Sequence, residues 1–168
     1  MDTYVDERDY KLLETDKYTF FVLKKIMGGE CNLLLSDHER LILCFTGHPF
    51  PVWIWSSDDA AEEEMEKAYQ LAKENKLLSG KHYFNIKYSL AEYFIRRAAE
   101  EGSELKIITN MFAYDCLDPV RPDTEAGYVP MLYTDADYVA SNACYEKIGY
   151  VLRGKLSRSA KHFAVSQI

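Results

Sequence analysis

A chain of 168 residues in which 48% are hydrophobic and 14% aromatic has enough apolar material for one domain or two small lobes, which excludes a disordered chain. Its net charge of −7 argues against binding nucleic acid by neutralising phosphates. The beginning of the chain is acidic and no stretch approaches membrane-spanning length, so we expect neither a signal peptide nor membrane association.

The four cysteines have no C-x-x-C spacing, and no histidine lies at metal-ligand spacing from them. This pattern favours reduced thiols in a cytoplasmic protein, and we expect no metal site.

The first elements in the chain are predicted to be helical. Residues 4–13 are polar and form a helical lead-in. Asp16 is then expected to cap a helix that runs through Met27 and stops at Gly28 and Gly29, because paired glycines end helices readily.

A β-hairpin and a third strand are predicted next. Two apolar runs, residues 32–35 and 41–46, are separated by a polar stretch typical of a turn. We expect His38 in that turn to be exposed to solvent. His48 is also expected to be an ordinary loop residue, although its Pro-rich and aromatic surroundings leave a site role open. A strand at residues 52–55 follows.

The middle of the chain alternates helices and strands. Ser57 is expected to cap a long helix whose acidic start and basic end suit the helix dipole. After a strand at residues 82–87, Ser89 and Glu92 form the capping-box pattern S-L-A-E of a second helix. A strand at residues 105–114 completes this part. The order of elements predicts an α/β (α+β) fold with helices packed on a mixed, mainly antiparallel sheet.

The last third begins with the Pro-rich stretch 116–125, which is the best candidate for a linker. Residues 128–134 then form an apolar strand. Ser141 and Asn142 are good N-cap residues for a short helix, and Gly149 suits its end. A new strand begins at Tyr150, and the Ser- and Lys-rich tail is expected to add an edge strand or to fray.

In the stretch N-A-C-Y-E-K-I-G-Y, the residues Asn142, Tyr145, Gly149 and Tyr150 resemble the closing motif of the GNAT N-acetyltransferase superfamily. The resemblance implies a GNAT-like fold with helices on both faces of the sheet and acetyl-CoA as co-substrate. It implies Tyr145 as general acid toward the departing thiolate, and Asn142 as a contact of the pantetheine arm, with Ser141 beside it. From the residues alone, Tyr145 on the inner face of a short helix is expected to be a core residue, and the resemblance reverses this preference.

The family's opening motif, a Gly-rich turn that binds the cofactor's pyrophosphate, has no counterpart in this sequence. Residues 1–118 therefore suggest a degenerate N-terminal lobe and residues 127–168 the end of a catalytic domain. Residues 119–126 form the linker, or the junction of a deletion, between them.

Three functions remain open. The first is acetyl transfer from acetyl-CoA to an amine of a small molecule or peptide. The second is a GNAT-like protein that has lost activity and serves as a binding module. The third is a small interaction module that uses its Tyr- and Trp-rich surface. Exposed sheet edges would also favour a homo-oligomer.

Overall fold

The computed structural model describes residues 1–79, 81–116 and 130–161. Within them lie seven strands: β1 (Leu33–Ser36), β2 (Leu41–Phe45), β3 (Val52–Ser56), β4 (Tyr83–Ile86), β5 (Leu105–Asp115), β6 (Met131–Asp135) and β7 (Val151–Lys161). The helices of the described residues are α1 (Glu7–Leu12), α2 (Phe21–Ile26), α3 (Glu62–Glu74), α4 (Tyr88–Glu100) and α5 (Val139–Lys147). None of these helices is long and apolar enough to cross a membrane.

All seven strands belong to one sheet, in the order β1-β2-β3-β4-β7-β5-β6. Only β3 and β4 are parallel neighbours, joined by α3, and the other neighbours are antiparallel. Because β7 runs against both β4 and β5, the strands β3, β4 and β5 share one direction. The predicted mixed, mainly antiparallel α/β sheet is confirmed. The carboxyl ends of β3, β4 and β5 consequently lie at the same edge, which we call the carboxyl edge.

Helices pack on both faces of the sheet, as the alternation of buried side chains in β2 illustrates. Leu41 and Leu43 join a core with α3 and α4. Ile42 and Cys44 point the other way, into a second core that contains Trp53, Leu23 of α2 and Leu13 after α1. Since β2 is buried on both faces, it reads as a continuous apolar run rather than an alternating one.

The prediction for the tail is wrong where the structure describes it. Strand β7 lies in the middle of the sheet, between β4 and β5, and is neither an edge nor frayed. The buried Ser157 suits this position because Asn110 Oδ1 accepts a hydrogen bond from its Oγ over 2.8 Å. The buried Ser159 hydroxyl of the same strand has no such partner among the described residues. Residues 162–168 lie outside the described residues.

The division of the chain into two lobes stays a prediction. The predicted linker, residues 119–126, lies outside the described residues. The strands β6 and β7, from the C-terminal part, pair with β4 and β5 from the N-terminal part, so both parts contribute to one sheet.

Three predicted helix caps before α5 are wrong. α2 begins at Phe21 without a side-chain cap, and the carboxylate of Asp16 accepts instead from Trp55. α3 begins beyond Ser57, after Ala61, whose N–H donates to Glu64 over 2.6 Å. α4 begins after Lys87, so that Ser89 lies inside the helix. In each case a polar residue lies near the start of a helix, but its side chain contacts other residues or is exposed to solvent.

Candidate functional site at the carboxyl edge

The motif that resembles the GNAT family folds into β6, α5 and the start of β7. Helix α5 begins at Val139, so Ser141 and Asn142 lie within its first turn and are not its N-cap; that prediction is wrong. The end is as predicted: Gly149 has φ of 97°, and the N–H of Tyr150 donates to the Tyr145 carbonyl over 3.0 Å.

Asn142 fixes α5 to the end of β6. Its side chain is 6% exposed. Its Nδ2 donates to the carbonyls of Asp135 (3.1 Å) and Ala136 (3.3 Å), and its Oδ1 accepts from the Thr134 hydroxyl. The amide is therefore engaged within the protein at both ends. The neighbouring Ser141 is exposed on the outer side of the helix.

Tyr145 lies at the carboxyl edge, half-buried between two other tyrosines. Its ring centroid is 6.2 Å from that of Tyr114, at the end of β5, and 5.7 Å from that of Tyr150. The Tyr114 hydroxyl donates to Glu146 over 3.3 Å. The hydroxyl of Tyr145 makes no hydrogen bond to another described residue. The ring is thus held by aromatic contacts while its hydroxyl can still donate.

The electrostatics of this tyrosine group are set by burial and by carboxylates. Burial, and after it the Glu146 carboxylate, raise the pKa of Tyr114. Beside it, the fully buried Asp115 accepts from Arg153 Nε over 2.7 Å, and its second oxygen has no hydrogen-bond partner among the described residues. Tyr114 therefore stays neutral, and Arg153 compensates the buried carboxylate.

A cleft of about 500 Å³ lies where β2 begins and β3 ends, between Lys11, Arg40 and Trp55. Ser57 lines it as well. The Ser57 hydroxyl is close enough to Asp59 to lower the pKa of that carboxyl, together with Arg40. The hydroxyl oxygen of Ser57 is nevertheless buried and makes no hydrogen bond of normal geometry to a described residue. The cleft thus offers two cations, an aromatic ring and a hydroxyl, together with the carboxylates of Glu39, Asp58 and Asp59.

The connection between α1 and α2 joins this cleft to the motif. Asp16 accepts from the Trp55 indole N–H over 2.7 Å and pairs with Lys87, at the end of β4, over 2.7 Å. Two residues later, the ring of Tyr18 stacks under the guanidinium of Arg153 at 4.9 Å. One short segment therefore contacts residues at the ends of β3 and β4 and near the start of β7.

The sequence did not indicate this connection, because its contacts join residues far apart in the chain. One signal was present: Lys87 is the last residue of a predicted strand and directly precedes a predicted helix. In α/β sheets such positions often face a ligand.

A second cluster that the sequence did not indicate surrounds His38, which is 6% exposed. The prediction that it is solvated is therefore wrong. Its Nδ1 lies 2.7 Å from Asp9 and its Nε2 lies 3.0 Å from Asp2. Potential ligand atoms of Asp6, Asp9 and His38 all lie within 4.8 Å of one another. Hydrogen bonds within the protein already engage Asp9 and His38. The other histidine considered from the sequence, His48, is exposed in the loop between β2 and β3.

Comparison of the chain with known proteins gives no assignment: no family model, no curated protein and no solved structure matches it. The carboxyl edge and the resemblance of the motif are therefore the two features of the chain that bear on its function.

Proposed function

We propose that the chain is a GNAT-like N-acetyltransferase, with acetyl-CoA as co-substrate and an amine of a small molecule or peptide as acceptor. The observation that carries the proposal is the position of Tyr145. Its ring lies beside that of Tyr114 at the carboxyl edge, where open α/β sheets bind ligands, and the cleft beside Trp55 lies at that same edge.

The role of Tyr145 is to hold a proton at its hydroxyl oxygen and to donate it to the departing thiolate. Acetyl-CoA supplies the activated acyl group when bound. A phenol with a pKa near 10 protonates a thiolate of conjugate pKa near 8.5 only when it is positioned beside that sulfur. The packing of Tyr145 against Tyr114 and Tyr150 provides such positioning.

The fit of the chain to acetyl-CoA differs between the two ends of the cofactor. The exposed Ser141 and the hydroxyl of Tyr145 suit the pantetheine end. Asn142 supports that end indirectly, because its amide holds α5 in place. The phosphates are less well served: α3, which follows β3, carries Glu62, Glu63 and Glu64 in its first turn. These carboxylates oppose an anion at this helix start.

Lys11 and Arg40 in the cleft are the cations that this proposal assigns to the phosphates. Since Arg40 pairs with Asp59 over 3.2 Å and with Glu64 over 3.7 Å, phosphate binding there has to displace two partly exposed ion pairs. Exposed ion pairs of this kind contribute little stability, so the exchange is inexpensive.

The test is acetyl transfer by the whole chain to a panel of amines, measured as CoA formed by chromatography. Tyr145→Phe is expected to slow turnover by about 10²–10⁴-fold and to leave the affinity for acetyl-CoA unchanged. Tyr138→Phe is the matched control, since Tyr138 is 66% exposed before α5 and outside the tyrosine group. An equal effect of both substitutions contradicts the assigned role.

A second function, a GNAT-like binding module without activity, is favoured by the surface around α5. Tyr138 and Val139 are 66% and 74% exposed, and Val151 and Leu152 at the start of β7 are 47% and 39% exposed. Exposed apolar residues in such number are typical of an interaction surface. The fully engaged amide of Asn142 fits this function as well, because it makes the motif a structural element.

Self-association is the simplest form of this second function. Among the described strands, β6 pairs only with β5, so its other edge has no strand partner in the described part of the chain. Open edges pair readily with another chain. Sedimentation over a range of concentrations distinguishes the two functions: a mass that rises with concentration, without binding of acetyl-CoA, supports the module, whereas a monomer that binds acetyl-CoA supports the enzyme.

A further inference from the structure

Two of the four cysteines lie in contact in the second core. The Sγ atoms of Cys31 and Cys44 are 3.3 Å apart, and both residues are free thiols. Cys44 is fully buried in β2, whereas Cys31 is half-buried in the irregular segment between α2 and β1. The remaining cysteines differ from this pair: Cys116 is buried, and Cys144 is exposed on α5.

We propose that Cys31 and Cys44 form a redox-sensitive thiol pair that closes to a disulfide on reaction with a small-molecule disulfide such as oxidised glutathione. A disulfide requires the two sulfurs to approach to about 2.05 Å. The pair thus has to close by little more than 1 Å. Cys44 is fixed by its strand, so the movement belongs to Cys31, which has no regular secondary structure on either side.

The accessibility of the two sulfurs sets the order of the reaction. The Cys31 thiolate attacks the small disulfide, which forms a mixed disulfide on Cys31 and releases one small thiolate. The Cys44 sulfur then attacks the Cys31 sulfur, gives up its proton to solvent and expels the second small thiol. One molecule of the small disulfide is thereby reduced to two thiols, and the two protein thiols are oxidised.

The second step is expected to be the slow one. Burial and the neighbouring Cys31 raise the pKa of the Cys44 thiol, so little thiolate is present at neutral pH. The mixed disulfide on Cys31 should therefore accumulate briefly before the protein disulfide appears.

The bond would join the segment between α2 and β1 to β2, the second strand of the sheet. Cys31 and Cys44 enclose only the β1–β2 hairpin, and closing a loop of this size typically stabilises a fold. For a chain of this length, the unfolding temperature is expected to rise by roughly 5–10 °C on oxidation. Reduction should reverse the change.

The experiment uses the full chain with Cys144→Ser, which removes the exposed thiol, incubated with oxidised glutathione. Mass spectrometry is expected to show a transient glutathione adduct and then a loss of about 2 Da, with one cross-linked peptide pair containing Cys31 and Cys44. The matched variant Cys31→Ser should show neither the cross-link nor the rise in unfolding temperature. It substitutes the half-buried partner and leaves the buried core residue in place, so it is expected to fold.

Three outcomes would overturn the proposal. The first is a stable glutathione adduct on Cys31 with Cys44 still reduced. The second is a disulfide that involves Cys116 in place of Cys44. The third is no reaction of Cys31 under conditions in which Cys144 of the unsubstituted chain reacts fully.

Discussion

The Nδ1 atom of His38 lies 2.7 Å from Oδ2 of Asp9, and both side chains are buried. This contact joins the turn between β1 and β2 to α1, 29 residues earlier in the chain. Ser36, the last residue of β1, also donates to Asp9, so the carboxylate contacts both the end of β1 and the turn that follows it. The beginning of the chain is thereby held against the sheet.

The contact predicts a dependence of stability on pH. The hydrogen bond to Asp9 raises the pKa of His38 against the opposing effect of desolvation. A raised pKa in the folded state means that the stabilisation is complete below about pH 6.5, the unfolded value, and is lost as pH rises through the folded value. The free energies of unfolding of His38→Asn and of the original chain can be measured with urea between pH 5.5 and 9. The difference between them should decrease as pH increases.

Asparagine is the suitable substitution because His38 has φ of 60°, a conformation that asparagine tolerates. His48→Asn, at an exposed histidine, is the control and should leave the pH profile unchanged. If the difference in the free energy of unfolding between His38→Asn and the original chain does not change with pH, His38 is not protonated in this contact.

The two neighbouring polar residues of α5 are predicted to differ in how much their substitution by alanine destabilises the fold. Asn142→Ala leaves two carbonyls and a hydroxyl without their partner and should cost about 1–3 kcal/mol in the free energy of unfolding. Ser141→Ala, at an exposed helical position, should change it by less than about 0.5 kcal/mol. Chemical denaturation measures both. Equal effects would contradict the anchoring role of Asn142.

The contact between Thr19 and β7 is predicted to require glycine at position 154. A Cβ atom added at Gly154 would overlap the Thr19 hydroxyl, but it would lie 3.5 Å from the Thr19 Cβ, which is ordinary contact. Gly154→Ala should therefore cost about 1–3 kcal/mol, and Thr19→Ala should recover most of this loss in the double variant. If the loss of stability in the double variant equals the sum of the losses in the two single variants, the segments are not packed as described.

The α/β architecture could be predicted from the sequence because its strands and long helices are local patterns. The apolar runs at β2, β3 and β5 and the buried stripes of α3 and α4 each indicate their element without reference to the rest of the chain. The hairpin of β1 and β2 follows from one polar turn between two such runs, and the structure confirms it.

The central position of β7 and the burial of His38 could not be predicted in this way. Both depend on partners distant in sequence: Ser157 of β7 is satisfied by Asn110, and His38 by Asp2 and Asp9. A polar side chain has the same local pattern whether it meets solvent or a distant partner. The candidate site shows the same limit, since the motif contains Tyr145 and Tyr150 but not Tyr114, the ring partner that β5 contributes.

The most direct test of the proposed function is a calorimetric titration of the full chain with acetyl-CoA. The proposal predicts a saturable heat and a higher unfolding temperature in the presence of the ligand, both retained in Tyr145→Phe. Neither heat nor a shift in unfolding temperature at millimolar acetyl-CoA would contradict it and would leave the binding module as the function that the carboxyl edge and α5 support.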